Sequence, residues 1–380
     1  MTATGWSRLK IKHSVRLLLT AAALAWPAVA GAQGPSTALR AGQPSVVLVT
    51  LDGARVEEVF GGIDVGIVKS QLRDGQRLED HPLYKRFWAP TPEERRARLM
   101  PFFWRTLMRE QGSIAGNPAL GSHVRLTNEL RISYPGYSEM VTGRAHDEVI
   151  KSNDPVRNPY PTVLEFLKLK AGLSKEQVAV FASWEVFNAV VEHTEGSLTV
   201  NAGFQAWDSP TGEVQRQSAL QFETPTPWNS VRHDAYTFRF AMDHLARHQP
   251  RVLYLALGET DDWAHDGRYD RVLEAYARSD QYLKELWTWL QAQPEYRGRT
   301  SLLVTTDHGR GHTPADWRNH GKSVNGAGET WMAFVSPQMP QRGEWRTPAP
   351  LTTSQVAATL IRWLGLDWKL FDPAIAPPVQ

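Results

Sequence analysis

The stretch TSLLVTTDHGRGH, residues 300 to 312, carries the reading of the fold: a short β-branched apolar run breaks at Asp307-His308-Gly309 into polar chain. Such a run suits a strand buried on both faces of a parallel sheet. Further runs with turn or polar flanks are SVVLVTL (45 to 51), VAVFASW (178 to 184), RVLYLAL (251 to 257) and TWMAFVS (330 to 336), and four of the five are continuous enough for buried strands. Helical patterns lie between them. The clearest runs from 269 to 290, where Tyr269, Val272, Leu273, Tyr276, Leu283, Leu286, Trp287 and Leu290 share one face. Thr91-Pro92-Glu93-Glu94 combines a capping box with proline at the first helical position, and Pro101 should kink or restart that helix. Further helices are expected around 162 to 172, 231 to 248 and 353 to 364. Strands alternating with helices from end to end imply an α/β fold, a largely parallel central sheet with helices on both faces. Segments 60 to 90 and 205 to 230 read as long loops or insertions that overhang a site.

The chain has 380 residues, enough for one large domain. Residues 1 to 32 read as a Sec-type signal peptide: Arg8, Lys10, Lys12 and Arg16 precede the apolar run LLLTAAALAW, and small residues follow up to a cleavage site after Ala32 or Ala30. Residues 33 to 380 are then expected to form a single domain, periplasmic or secreted, with no stable membrane anchor after cleavage. The leader holds four of the 42 basic residues and none of the 40 acidic ones, so the mature chain keeps 38 against 40, a net charge of −2. That balance gives no warrant for a nucleic-acid partner. With no cysteine in the chain, any metal must sit on His, Asp, Glu or hydroxyl oxygen.

In open α/β sheets, ligands collect at the carboxyl ends of strands. Three strands here end in acids: SVVLVTL runs into Asp52-Gly53, RVLYLAL into GETDDWAHDG, and TSLLVTT into Asp307-His308-Gly309. A lone acid there is equally well explained as stabilising a helix N-terminus, but three together point to a shared site. Asp261 and His265 stand four residues apart and can face inward from one turn. Asp261 is preferred over Asp262, which either turns to solvent or acts behind it. With His308, His265 and His320 the three ends make a mixed oxygen and nitrogen set that suits two divalent ions, Zn2+ first and Mn2+ as a substitute. In RISYPGYSEMVTG, residues 131 to 143, Ser133 precedes a Tyr-Pro-Gly turn and can present a hydroxyl to a metal. Ordinary turn or capping work explains it as well, and Ser138 and Thr142 are rivals.

The order LDG, Ser-x-Pro with a later TG, D-x-x-x-H, DHG and HG, over about residues 45 to 336, resembles the alkaline phosphatase superfamily. It is most similar to the type I phosphodiesterase and nucleotide pyrophosphatase branch, whose motif T-F-P-N-H-Y-S-I-V-T-G lies on SYPGYSEMVTG without a gap and sets the nucleophile at Ser133. The resemblance implies an alkaline-phosphatase-like three-layer sandwich. It further implies one metal held by Asp52, Ser133, Asp307 and His308, and another held by Asp261, His265 and His320. His320 is preferred to His312 because it precedes Gly321 as the family's last histidine does. With one gap, Asn153 falls where that branch keeps an asparagine on a phosphoryl oxygen, although a turn role ahead of Pro155 is an equal reading. Tyr137 stands where sulfatases need their C/S-x-P-x-R frame to continue, which disfavours that activity. A leader and the short Ser133 to Asp261 spacing disfavour the phosphoglycerate mutase branch.

The activity implied is hydrolysis of a small phosphate mono- or diester through a covalent phosphoseryl intermediate. The rival is a non-catalytic relative that holds a metal-bound ligand; a closed structural metal site suits a hydroxyl ligand less well. Tyr137, Trp263 and Trp317 either line a substrate pocket or pack on the sheet.

Overall fold

The computed structural model describes residues 42–346 and 349–380, so the leader expected over residues 1 to 32 lies outside the described residues. The strands, in chain order, are β1 Ser45–Leu51, β2 Ser113–Ala115, β3 Val124–Arg125, β4 Val178–Ala182, β5 Thr199–Ala202, β6 Val252–Leu257, β7 Thr300–Thr305, β8 Glu329–Thr330, β9 Met332–Val335, β10 Gly343–Glu344 and β11 Leu351–Thr352. Eight of them form one sheet in the order β10-β2-β9-β7-β1-β6-β4-β5, and β11-β3-β8 form a small second sheet. In the large sheet only β9 runs antiparallel to its neighbours, β2 and β7. The run at 330 to 336 is thus a strand that returns against its partners, while β1, β4, β6 and β7 are parallel.

Alternation along the central strands builds two cores, one on each face. Val47, Val49 and Leu51 of β1 join Leu253, Leu255 and Leu257 of β6 on one side. Val46 and Leu48 join Val252, Tyr254 and Ala256 on the other. The first core is closed by the Asp234–His248 and Tyr269–Ala292 helices, and the second by Ser133–Thr142, Val163–Lys170 and Gln355–Trp363. All eight apolar positions singled out in the Tyr269 helix are buried, and each contributes on the order of 1.5–3 kcal/mol. Helices on both faces of a mostly parallel sheet make the three-layer sandwich expected from the sequence.

Local signals act as read. Thr91 and Glu94 form a reciprocal capping box with Pro92 in the first turn, and the chain restarts after Pro101 as a π-helix over Phe103–Gln111. Segments 60 to 90 and 205 to 230 differ from the loop reading. They hold the short helices Val65–Ser70, Pro82–Phe87 and Gly212–Leu220. These are too short for a visible period; the first is set by Asp64, whose side chain accepts from the Gly66 and Ile67 amides. No helix among the described residues is long and apolar enough to cross a membrane.

Candidate metal centre

Parallel pairing puts the carboxyl ends of β6, β1 and β7 side by side, with Leu51 opposite Leu257 and Thr50 opposite Thr305. Asp52 follows β1 directly. Asp261 sits in the first turn of the Glu259–His265 helix that follows β6, and Asp307 and His308 follow β7. The register of three strands therefore brings together side chains more than two hundred residues apart. Ligand-capable atoms of Asp52, Asp307 and His308 lie within 4.8 Å of one another, and so do those of Asp261, His308 and His320.

His308 Nε2 is the hub. It lies 3.6 Å from Asp52 Oδ1, 3.5 Å from Asp307 Oδ2, 3.8 Å from Asp261 Oδ1 and 3.3 Å from Ser133 Oγ. Its Nδ1 faces the Gly309 carbonyl at 2.9 Å; a proton donated there leaves Nε2 bare. Each acid of the first cluster has one oxygen held and one free. Asp52 Oδ2 accepts from Tyr137 OH at 2.9 Å, and Asp307 Oδ1 accepts from the Gly53 amide at 3.0 Å. Asp52 Oδ1 and Asp307 Oδ2 are buried with no hydrogen-bond partner. Unpaired buried carboxylate oxygens are costly, and two of them converging with a bare imidazole nitrogen and a hydroxyl form a donor set that fits a divalent cation.

The second cluster continues from the same hub. His265 Nε2 is 3.1 Å from Asp261 Oδ2 and 3.0 Å from His320 Nε2, while His320 Nδ1 faces the Arg131 carbonyl at 3.2 Å. Both imidazoles thus aim Nε2 at one point beside a carboxylate. Arg131 adopts φ 53, a left-handed conformation uncommon for a residue with a side chain, immediately before the segment that bears Ser133. Among the described residues, Arg131 and Gln249 are the non-glycine positions with positive φ, and Arg131 is the one whose carbonyl faces His320.

Burial and mutual repulsion dominate the electrostatics. Burial, then Asp307 and Asp261, raises Asp52 well above the usual carboxylate range; burial and then Asp261 raise Asp307. Burial also acts to raise Asp261, but Arg310 and then His265 outweigh it and hold that group well below the ordinary range. Burial pushes His308 well down and His320 down to about 4, so both imidazoles are neutral and available as ligands at pH 7.

The Ser133–Thr142 helix delivers the hydroxyl. Ser133 is its first residue, and Ile132 before it provides no side-chain cap. Asn153 does that work instead: its Oδ1 accepts from the Tyr134 amide at 2.9 Å, which leaves the Nδ2 donors for another partner. The helix can approach only because residue 136 is glycine; a Cβ there would stand 2.4 Å from the Asp307 carbonyl oxygen. The rival hydroxyls are engaged elsewhere. Ser138 Oγ bonds Asn158 Nδ2 at 3.3 Å, and Thr142 Oγ1 donates to the Ser138 carbonyl at 2.7 Å.

Of the alternatives left open, Asp262 and His312 join neither cluster. His312 Nδ1 is hydrogen-bonded to Glu57, and its Nε2 lies 3.8 Å from Glu329 Oε2. Trp317 is buried edge-on to Tyr269, and Trp263 packs edge-on to Trp228. Tyr137 is neither lining nor filler alone, since it holds Asp52. Arg310, bonded to Asp261, escaped the reading of the sequence altogether.

Residues 82–341 match the family model described as type I phosphodiesterase / nucleotide pyrophosphatase. No individual curated protein matches the chain. Among solved structures, wild-type alkaline phosphatase PafA is similar at 10% identity and TM-score 0.56, over 89% of this chain and 98% of that one. The 2-O GAG sulfatase BT1596 is similar at 12% identity and TM-score 0.52, over 89% and 72%. The lipoteichoic acid synthase LtaP from Listeria monocytogenes follows at 10% identity and TM-score 0.50, over 86% and 72%. Identities this low establish a common fold alone.

Proposed function

Because the chain belongs to the type I phosphodiesterase / nucleotide pyrophosphatase family, we propose that it is an exported, metal-dependent hydrolase of phosphate mono- or diesters that uses Ser133 as nucleophile. In this reading residues 33 to 380 act as one catalytic domain. The observation that carries it is the pair of partnerless buried oxygens, Asp52 Oδ1 and Asp307 Oδ2, beside His308 Nε2 and Ser133 Oγ. Asp52, Asp307, His308 and Ser133 would hold one divalent ion, and Asp261, His265 and His320 a second; Zn2+ suits both sets.

When bound, the two ions supply charge neutralisation at the nonbridging oxygens and lower the pKa of hydroxyl and water. The protein's own residues supply position. The Ser133–Thr142 helix fixes the hydroxyl oxygen 3.3 Å from His308 Nε2, so that it attacks phosphorus while the ester oxygen departs on the opposite side. A phosphoseryl enzyme forms, and water then breaks its Oγ–P bond to return the hydroxyl. Asn153, with Oδ1 held by the Tyr134 amide, offers its Nδ2 donors to a nonbridging oxygen.

The test is turnover of p-nitrophenyl phosphate and its bis-ester with metal analysis on the same samples. Ser133→Ala is expected to abolish turnover while both ions stay bound, and chelation is expected to silence the wild type. Undiminished activity in Ser133→Ala would remove the assigned nucleophile.

A further inference from the structure

We infer that Arg310 is a fixed positive charge that makes the two cation positions unequal, so that the one at Asp261, His265 and His320 holds a divalent ion more weakly than the one at Asp52, Asp307 and His308. This rests on the metal-holding reading above and goes beyond it. Arg310 is 2% exposed. Its Nη2 donates to Asp261 Oδ1 and, at 3.1 Å, to the Asp261 carbonyl; its Nη1 donates to the Arg318 carbonyl. One guanidinium therefore ties the loop after β7 to the Glu259–His265 helix through both the main chain and the carboxylate of Asp261. Gly53 admits it: a Cβ at that position, where φ is +57, would lie 2.3 Å from Asp261 Oδ1 and 2.9 Å from Arg310 Nε.

The charge balance differs between the two positions. Among the described residues, the ion pairs of Asp52 and Asp307 are with His308 alone, so two carboxylates there face one incoming divalent ion. Asp261 brings a single negative charge, already matched by the guanidinium, and the other two side chains are imidazoles. An ion entering beside them meets a buried cation at short range, where repulsion is little screened. Arg310 also holds Asp261 in place through its carboxylate and its carbonyl, with Oδ2 left toward His265 at 3.1 Å. The second position is thereby built for an ion that exchanges.

Calorimetric titration of the chelator-stripped full chain with Zn2+, with metal content measured after dialysis, tests this. Wild type is expected to bind in two steps whose affinities differ at least tenfold, about 1.4 kcal/mol. Arg310→Met should tighten the weaker step at least tenfold and leave the tighter one in place, while Arg310→Lys should preserve the inequality. His265→Ala assigns the steps without touching Arg310: it should remove the weaker step alone. Two equal steps in wild type, an unchanged gap in Arg310→Met, or loss of the tighter step in His265→Ala would each overturn the inference while leaving two-ion binding intact. A chain that binds no divalent ion would overturn the proposed function as well.

Discussion

Asp52 and Asp307 share one design: each gives an oxygen to a fixed donor and turns the other into common space. Tyr137 is the donor for Asp52, and burial followed by the neighbouring acids pushes its phenol pKa well up, so it remains a proton donor throughout the working range. Removing a hydrogen bond of this kind from a metal-facing carboxylate lowers metal affinity by about 10–100-fold. Tyr137→Phe is expected to show that loss in a chelator competition titration with little change in thermal midpoint; unaltered affinity would mean that the tyrosine only fills space. Asn153→Asp separates the two halves of that side chain, since it keeps the acceptor for the Tyr134 amide and loses the Nδ2 donors. The expected result is a roughly hundredfold drop in kcat/KM toward the bis-ester with an unchanged melting curve. At this scale the sequence was readable where a strand end announced an acid, as at Asp52 and Asp307. It was silent on Arg310, because nothing local distinguishes an arginine whose guanidinium will be buried on a carboxylate 49 residues away from one that faces solvent.

Among the elements, the Ser133–Thr142 helix and the turn after β7 fit together at Gly136. A methyl group 2.4 Å from the Asp307 carbonyl oxygen cannot be accommodated without moving one of them. Gly136→Ala is expected to cost about 1–3 kcal/mol of stability and, by shifting Ser133, to reduce turnover by about a hundredfold; a wild-type kcat would show that the contact does not set the hydroxyl's position. The Asp234–His248 helix makes a separate prediction about pH. His244 packs against Phe181 and Trp207, its Nε2 faces the Glu176 carbonyl at 2.8 Å, and burial depresses it to about 4 from an ordinary 6.5. The unfolded chain takes up this proton first, so the stabilisation is fully present above about pH 6.5. It is lost as pH falls through the folded value, up to about 3 kcal/mol in all. His244→Phe should flatten the fall in thermal midpoint between pH 7 and pH 5, and an identical slope would remove His244 as its source. Long elements such as Tyr269–Ala292 were legible because a repeated apolar face leaves a period. Val65–Ser70 and Pro82–Phe87 are a turn or so long and leave none.

Over the whole molecule, the sheet's register brings separate motifs into one cluster, and Asp52 belongs to that cluster although the family match begins at residue 82. The alternation of strands and helices sufficed to read the layers from the chain. The returning direction of β9 did not follow from it, since an apolar run is the same read either way. Arg310 offsets Asp261, but Asp52 and Asp307 share one buried space with, among the described residues, no basic side chain paired to them other than His308. That is unfavourable unless a cation occupies the space, so ions bound there are expected to support the fold as well as the chemistry. Free metal at a hundred times its Kd adds about 2.7 kcal/mol, and chelation is expected to lower the thermal midpoint, with recovery when Zn2+ is restored. The most direct measurement is an anomalous difference map from crystals grown with Zn2+. Two peaks are expected, one among Asp52, Asp307, His308 and Ser133 and the other among Asp261, His265 and His320, the second weaker. A map without a peak at Asp52 and Asp307, or with the metal seated at His312 instead, would contradict this expectation.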